Sequence, residues 1–281
     1  MTSTAFSFDE TLVVIVLYKD LLAQSESFKS LSEAIPKSIR ISLFVFDNSP
    51  TRGALPHSDA WDITYQHEPS NIGVSLAYNE ASKLASQLQK KWLLLADQDT
   101  KFPATLFSDY QTGIEKFPNL QMLVPFLHDS KKLLSPFKLL LGNGIRTEKP
   151  ISGIHSLKKF KVINSGILIS LVAFARAKGY DERFPLDYSD IVFCDRLLSP
   201  DSDFVLIDSE CHHNFSGARV KSEPETLLTR FIIFCNAVLI YKKISIYHVS
   251  VVWIIFPRAL KLFFETKNLQ FIKTALRHYF K

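Results

Sequence analysis

The feature that most restricts this chain is the order of its short apolar runs. Thr11-Leu-Val-Val-Ile-Val-Leu17 is continuous and rich in β-branched residues, which marks a strand buried on both faces. A helical stretch over 21–35 follows, with Leu21, Leu22, Phe28, Leu31 and Ala34 as its apolar positions. Ile41–Phe46 is a second buried strand and Ile63–Tyr65 a weaker third. A helix over 74–90 carries Ala77, Ala81, Leu84, Ala85 and Leu88 near a 3.6-residue period, and Trp92–Ala96 is another buried strand. Such alternation predicts an α/β sheet with helices on both faces. Ligands of these sheets bind beyond the carboxyl ends of the strands. The polar triplets Asp47-Asn48-Ser49 and Asp97-Gln98-Asp99 both stand at such ends.

Beyond residue 128 the pattern changes. Residues 128–160 are polar, Lys-rich and interrupted by Pro136, Gly142, Gly144, Pro150 and Gly153, and read as a long surface loop. Val162–Ser170 is strand-like and is followed by a helix carrying Ala173, Phe174 and Ala177. Residues 226–241 and 257–281 read as helical.

A hydrophobic content of 47% with 22% charged residues excludes disorder of the whole chain. Cys194, Cys211 and Cys235 have neither metal-site spacing nor the number for a disulfide framework, which suits a reducing compartment. The first residues, MTSTAFSFDE, lack the basic and apolar regions of a signal peptide. No window approaches the roughly 18 uninterrupted apolar residues of a membrane span. The net charge of +5 is uneven: residues 219–281 hold eleven Lys and Arg against three acids, or +8, leaving −3 for residues 1–218. That asymmetry predicts an anionic partner for the tail.

Two carboxylates two residues apart at a strand end, as in Asp97-Gln98-Asp99, can share one hard cation, which fills its shell with diphosphate oxygens. A turn with a helix cap is the alternative. Further along, Asn71-x-Gly73 opens a helix and Asn164-Ser165-Gly166 interrupts a strand. A block from Gly179 contains Asp187 and Asp190, and His212-His213 lies about twenty residues after it.

Taken in order from about residue 11 to 217, these motifs resemble family 2 glycosyltransferases of the GT-A fold. Within that family they are most similar to the rhamnosyltransferase-like enzymes of bacterial surface-polysaccharide assembly. The resemblance implies a mostly parallel central sheet flanked by helices over residues 1–218, followed by a basic amphipathic helical appendage over 219–281. It assigns Asp47, Asn71, Gly73 and Asp97 to the nucleotide-sugar donor. Asp99, with His213 or its neighbour His212, falls to a Mg²⁺ or Mn²⁺ ion, and Asn164, Ser165 and Gly166 to the acceptor side. Asp190 matches the general base, with Asp187 as an acceptor-side residue and the alternative base. The family pattern is altered at Lys19, Ser189 and Val192.

Each assignment has a plainer counterpart. Asp47 could be a turn residue, Asn71 a helix cap, Gly166 a bulge and the histidine structural. The implied reaction is inverting transfer of one sugar, with rhamnose from dTDP-rhamnose as the leading donor, to a lipid-linked saccharide in O-antigen- or capsule-type synthesis. The Gln-x-x-Arg-Trp signature of processive synthases is absent. A sugar-1-phosphate nucleotidyltransferase would need a Gly-rich loop where Tyr18-Lys19-Asp20 stands, and a catalytically silent relative acting as an assembly partner is the other alternative.

In the tail, Leu269, Ile272, Leu276, Tyr279 and Phe280 fall in one helical sector of about 100°, beside Lys273, Arg277 and Lys281. Phe263, Phe264, Arg258 and Lys261 precede them. This pattern predicts peripheral binding to the inner face of the bacterial membrane, or else a helix packed on the core. Nucleic acid is not expected, since no recognised binding module accompanies the basic residues.

Overall fold

The computed structural model describes residues 7–36, 39–130, 132–198, 202–213 and 224–280. The boundary expected at 218 and 219, and the polar residues after His213, lie outside these segments.

The strands are β1 (Thr11–Leu17), β2 (Ile41–Asp47), β3 (Trp61–His67), β4 (Trp92–Asp97), β5 (Thr100–Lys101), β6 (Met122–Asp129), β7 (Lys132–Ser135), β8 (Lys138–Leu140), β9 (Asn143–Ile145), β10 (Gly153–Ser156), β11 (Leu168–Ser170) and β12 (Asp203–His213). The helices are α1 (Glu26–Ala34), α2 (Val74–Gln87), α3 (Leu106–Lys116), α4 (Leu171–Arg176), α5 (Ser189–Arg196), α6 (Pro224–Ile244), α7 (Val251–Thr266) and α8 (Gln270–Tyr279). The main sheet runs β10-β12-β6-β11-β4-β1-β2-β3, with β5 added to β12 and β7 to β6.

The half formed by β4, β1, β2 and β3 is parallel throughout, as the alternating sequence predicts. In the other half, β6 and β12 pair in parallel, while β11 runs antiparallel between β4 and β6. The sheet is therefore mixed, with its parallel half carrying the first site residues. All seven residues of β1 are buried. Leu12, Val14 and Val16 enter a core beneath α2, α4 and α5, and Val13, Ile15 and Leu17 enter a second core beneath α1 and α3. This two-sided burial is why β1 is a continuous apolar run rather than an alternating one.

Three sequence expectations need correction. Residues 128–160 are not an irregular loop: they hold the end of β6, then β7, the β8–β9 hairpin and β10. β7 and β10 are short strands at the margin of the main sheet and β8–β9 is a separate two-stranded hairpin, so no apolar period marks them. Of Val162–Ser170 only Leu168–Ser170 is strand, because Gly166 takes φ +88° and a Cβ there would lie 2.5 Å from Pro125 Cγ. The helix expected over 257–281 is two helices, broken where Lys267 adopts φ 57°.

Helices α6–α8 close a third core with the segment that carries the expected base. Phe184, Tyr188, Ile191 and Val192 pack with Phe231, Val238, Tyr241, Ile255, Phe271 and Ala275. Fully burying one side chain of this size contributes about 1.5–3 kcal/mol. The C-terminal helices thus support the candidate site mechanically.

Candidate active site

The parallel register places Asp47 and Asp97 on either side of the end of β1, since Leu17 pairs with Asp47 and Val16 with Asp97. With adjacent strands about 4.8 Å apart, the backbones of the two residues stand roughly 10 Å apart, across the end of β1. Asp47 is buried and fully engaged. Its Oδ1 accepts from the Ser49 amide at 2.9 Å and its Oδ2 from the Tyr65 hydroxyl at 2.5 Å, with the Gly53 amide at 3.4 Å. Burial raises its pKa, but these hydrogen bonds outweigh burial and hold the carboxyl below the ordinary value. Asp47 therefore stays charged and shapes the loop that follows β2.

The Asp97-Gln98-Asp99 turn is gripped from several sides. Gln98 accepts from the Tyr18 amide at 2.7 Å and donates to the Tyr18 carbonyl at 3.2 Å. Hydroxyls from the start of α1 hold the other side: Ser25 donates to the Gln98 carbonyl at 2.8 Å and Ser27 to the Thr100 carbonyl at 2.9 Å. Asp97 Oδ1 accepts from the Tyr78 hydroxyl at 3.0 Å. Burial raises the pKa of Asp97; His213 and Tyr78 oppose this and the charge of Asp99 adds to it.

Asp99 meets His213 across the β5–β12 pairing, with Oδ1 and Nδ1 3.0 Å apart. Burial lowers the His213 pKa, but the hydrogen bond and charge of Asp99 overcome it and the net shift is upward. The structure also separates the two histidines. Adjacent strand residues face opposite ways, and His212 turns to the other side, its ring 5.8 Å from that of His128. Asp99 and His213 offer one carboxylate oxygen and one imidazole nitrogen 3.0 Å apart; the carboxylate suits Mg²⁺ or Mn²⁺, and the imidazole nitrogen favours Mn²⁺ over the all-oxygen preference of Mg²⁺. Among the described residues no group of three or more His, Cys, Asp and Glu could hold a metal, so a two-residue site would leave most positions to a ligand's oxygens.

The loop before α2 is joined to the segment that leads to Asp190. Asn71 takes φ 51° but makes no cap; Gly73, at φ +95°, occupies the cap position of α2. A Cβ on Gly73 would lie 2.2 Å from the Pro185 carbonyl oxygen, which accepts from the Val74 amide at 2.8 Å. Ser75 donates to the Phe184 carbonyl at 2.6 Å. Gly73 is required by this contact, which ties α2 to residues 184–185.

Asp190 lies in the first turn of α5, after Tyr188, a non-glycine residue held at φ 69° by burial and by its hydroxyl bond to the Gly142 carbonyl at 3.0 Å. Burial pushes the Asp190 pKa up to about 7, and the charges of Asp97 and Asp187 push the same way. Asp187 is paired through Oδ1 with Arg258 of α7 at 3.2 Å, whereas its buried Oδ2 has no hydrogen-bond partner.

Asn164, Ser165 and Gly166 form a buried brace. Ser165 accepts from the Asp97 amide at 3.0 Å and donates to Thr100 at 2.8 Å. Asn164 accepts from the Tyr180 hydroxyl at 2.7 Å and reaches Ser189 at 3.4 Å, and the Gly166 carbonyl accepts from Tyr110 at 2.6 Å. They connect the Asp97 turn to the start of α5. Tyr78 and Tyr180 were not singled out by the sequence, Gln98 was named there only as part of the acidic turn, and Arg258 only as part of the basic tail. Only Gln98, enclosed by the two aspartates, carried a local signal.

The architecture is the GT-A glycosyltransferase fold. The Staphylococcus aureus TarS structure has a TM-score of 0.52 to this chain at 11% identity, covering 82% of this chain and 39% of that one. TarS residues 1–349 in complex with UDP-GlcNAc match with a TM-score of 0.51 at 12% identity, covering 94% and 79%. GalNAc-T7 with UDP, GalNAc and Mn²⁺ matches with a TM-score of 0.52 at 11% identity, covering 73% and 43%. The chain spans about two fifths of the length of the first of these. No family model matches the sequence, and no curated protein matches it.

Proposed function

We propose that the chain is an inverting, non-processive glycosyltransferase that moves one sugar from a nucleotide-diphosphate donor to a saccharide acceptor. The carrying observation is the convergence of Asp97, Asp99 and His213 at the strand ends of a GT-A fold with an aspartate, Asp190, whose pKa is near neutral. Support for a nucleotide-sugar donor comes from TarS, solved with UDP and with UDP-GlcNAc, and from GalNAc-T7, solved with UDP, GalNAc and Mn²⁺.

Asp97 and the loops after Asp47 and Asn71 would receive the nucleoside, with Gly73 allowing the close approach of α2. Asp99 and His213 would hold a Mg²⁺ or Mn²⁺ ion. When bound, that ion supplies charge neutralisation for the diphosphate. Asp190 accepts the proton of the acceptor hydroxyl as its oxygen bonds to the anomeric carbon and the bond to the diphosphate breaks on the opposite face. A base with a pKa close to the working pH suits this transfer better than an ordinary aspartate. Asp187, held by Arg258, would stand on the acceptor side, and the Asn164–Gly166 brace would hold that side in register.

In the finer reading the sugar is rhamnose from dTDP-rhamnose. The acceptor is a lipid-linked saccharide of O-antigen- or capsule-type assembly, met at the inner face of the cell membrane. Calorimetry with UDP-, dTDP- and GDP-sugars, with and without Mn²⁺, tests the proposal. Metal-dependent binding of one donor, absent from Asp99→Ala, is expected. Folded protein that binds none of them would sink it.

A further inference from the structure

Helices α7 and α8 each bury one face in the third core and leave the other uncovered. In α7 the buried residues are Val251, Ile254, Ile255 and Ala259. On the opposite side Trp253, Leu260 and Phe264 stand at i, i+7 and i+11, within about 40° of one another around the axis. They are 67%, 47% and 63% exposed. In α8, Phe271, Thr274, Ala275 and His278 are buried, while Leu276, next to Leu269 and Phe280 at the helix ends, faces outward. The two stripes adjoin where Phe256 of α7 meets Tyr279 of α8, ring centroids 6.1 Å apart. Single exposed apolar residues are ordinary; a shared stripe across two packed helices is not.

The border of this surface is basic. Lys261, Lys267, Lys273 and Arg277 are all exposed, and Lys267 Nζ lies 5.6 Å above the Phe264 ring. Glu265 is the single acid from 251 to 280. We propose that this face docks on an anionic lipid bilayer, lying in the headgroup region with Trp253, Phe264 and Phe280 inserted. The proposal deepens the membrane part of the proposed function and rests on it. Aromatic rings bordered by Lys and Arg suit the boundary between headgroups and acyl chains. A second copy of the chain fits less well, because twofold pairing of the face with itself would set four basic residues against four. Spanning is not an option, since among the described residues no helix is long and apolar enough to cross a membrane.

Docking in this way would also orient the site. Arg258 lies about 140° around α7 from Trp253 and reaches inward to Asp187, 3.2 Å away. The acceptor side of the cleft would then stand about one helix diameter, roughly 10 Å, from the headgroups, a height suited to a saccharide carried on lipid.

The test is flotation of the full chain with vesicles of phosphatidylcholine alone or mixed with phosphatidylglycerol, together with Trp emission in vesicles carrying brominated acyl chains. Binding to the mixed vesicles is expected, weakened about 10- to 30-fold by Lys273→Gln with Arg277→Gln. Bromine quenching is expected in the wild type and absent from Trp253→Phe, because Trp61 is buried and Trp92 packs against the second core, away from this face. Equal binding to both vesicle types, or binding without quenching, overturns the proposal. So does a dimer in solution that Trp253→Ser with Phe264→Ser dissociates. Donor calorimetry on the same protein separates the two readings. Vesicle binding without any donor binding leaves the surface and removes the enzyme. Donor binding without vesicle binding does the reverse.

Discussion

Arg258 Nη1 lies 3.2 Å from Asp187 Oδ1, and its guanidinium stacks 3.9 Å from the Phe234 ring centroid. A residue of the C-terminal helices thereby neutralises a carboxylate three positions before the proposed base. Asp187 already pushes the Asp190 pKa upward, so removing its partner should push it further. Arg258→Ala is expected to move the acid limb of kcat/KM to higher pH and to lower activity at pH 7. The pair is partly exposed, so the accompanying loss of stability should be modest, about 1 kcal/mol. Arg258→Lys should restore much of the charge effect but not the stacking. An acid limb that stays in place in Arg258→Ala would detach Arg258 from the base.

With Asp190 as the proposed base, its carboxyl, at about 7, would set the pH dependence of the reaction. Its charged form is the one that accepts a proton, so activity should rise with pH through about 7 and fall about tenfold per unit well below it. The protonated carboxyl dominates there. Asp190→Asn should lower kcat by about 10²- to 10⁴-fold and leave donor binding intact. A steady-state pH profile checks both. A limb near 4 would assign the base to a solvated carboxylate instead.

How much of this was legible in the sequence depended on range. Strands β1, β2 and β4 are uninterrupted apolar runs because both their faces are covered, and their polar ends marked the site. β6 was hidden by Pro125 within Met-Leu-Val-Pro-Phe-Leu, and β12 by the polar stretch at 208–210, where the register with β6 shifts between Leu206 and Glu210. Asp97 and Asp99 were marked by their own spacing at a strand end, whereas Asp190 was marked only by the family resemblance. The choice between His212 and His213 needed the strand register, since alternation decides which ring meets Asp99. Tyr78 and Arg258 act across 19 and 71 positions of sequence, and their own neighbourhoods carry no sign of it.

That register yields a direct contrast. His213→Ala should weaken Mn²⁺-dependent donor binding by at least about tenfold, or roughly 1.4 kcal/mol. His212→Ala, on the opposite side of β12 beside His128, should leave it unchanged. Calorimetry with and without Mn²⁺ on the two variants makes the comparison. Equal losses would mean that the end of β12 rearranges when donor binds.

Gly73 provides the most stringent test of how the donor and acceptor sides are joined. An added Cβ would lie 2.2 Å from the Pro185 carbonyl oxygen, which is backbone and cannot rotate away, at φ +95°, where a side chain is strained in any case. The strained φ alone costs about 1–3 kcal/mol, and relief of the clash requires residues 184–185 to withdraw from α2. Phe184 sits in the third core and Asp190 follows five residues after Pro185, so that withdrawal would be felt at the base. Gly73→Ala is therefore expected to lower the melting temperature by several degrees and kcat by more than it lowers donor affinity. Thermal unfolding with donor calorimetry and single-turnover rates would separate these effects. A variant that kept wild-type stability and kcat would mean that α2 and the base segment are not coupled through this contact.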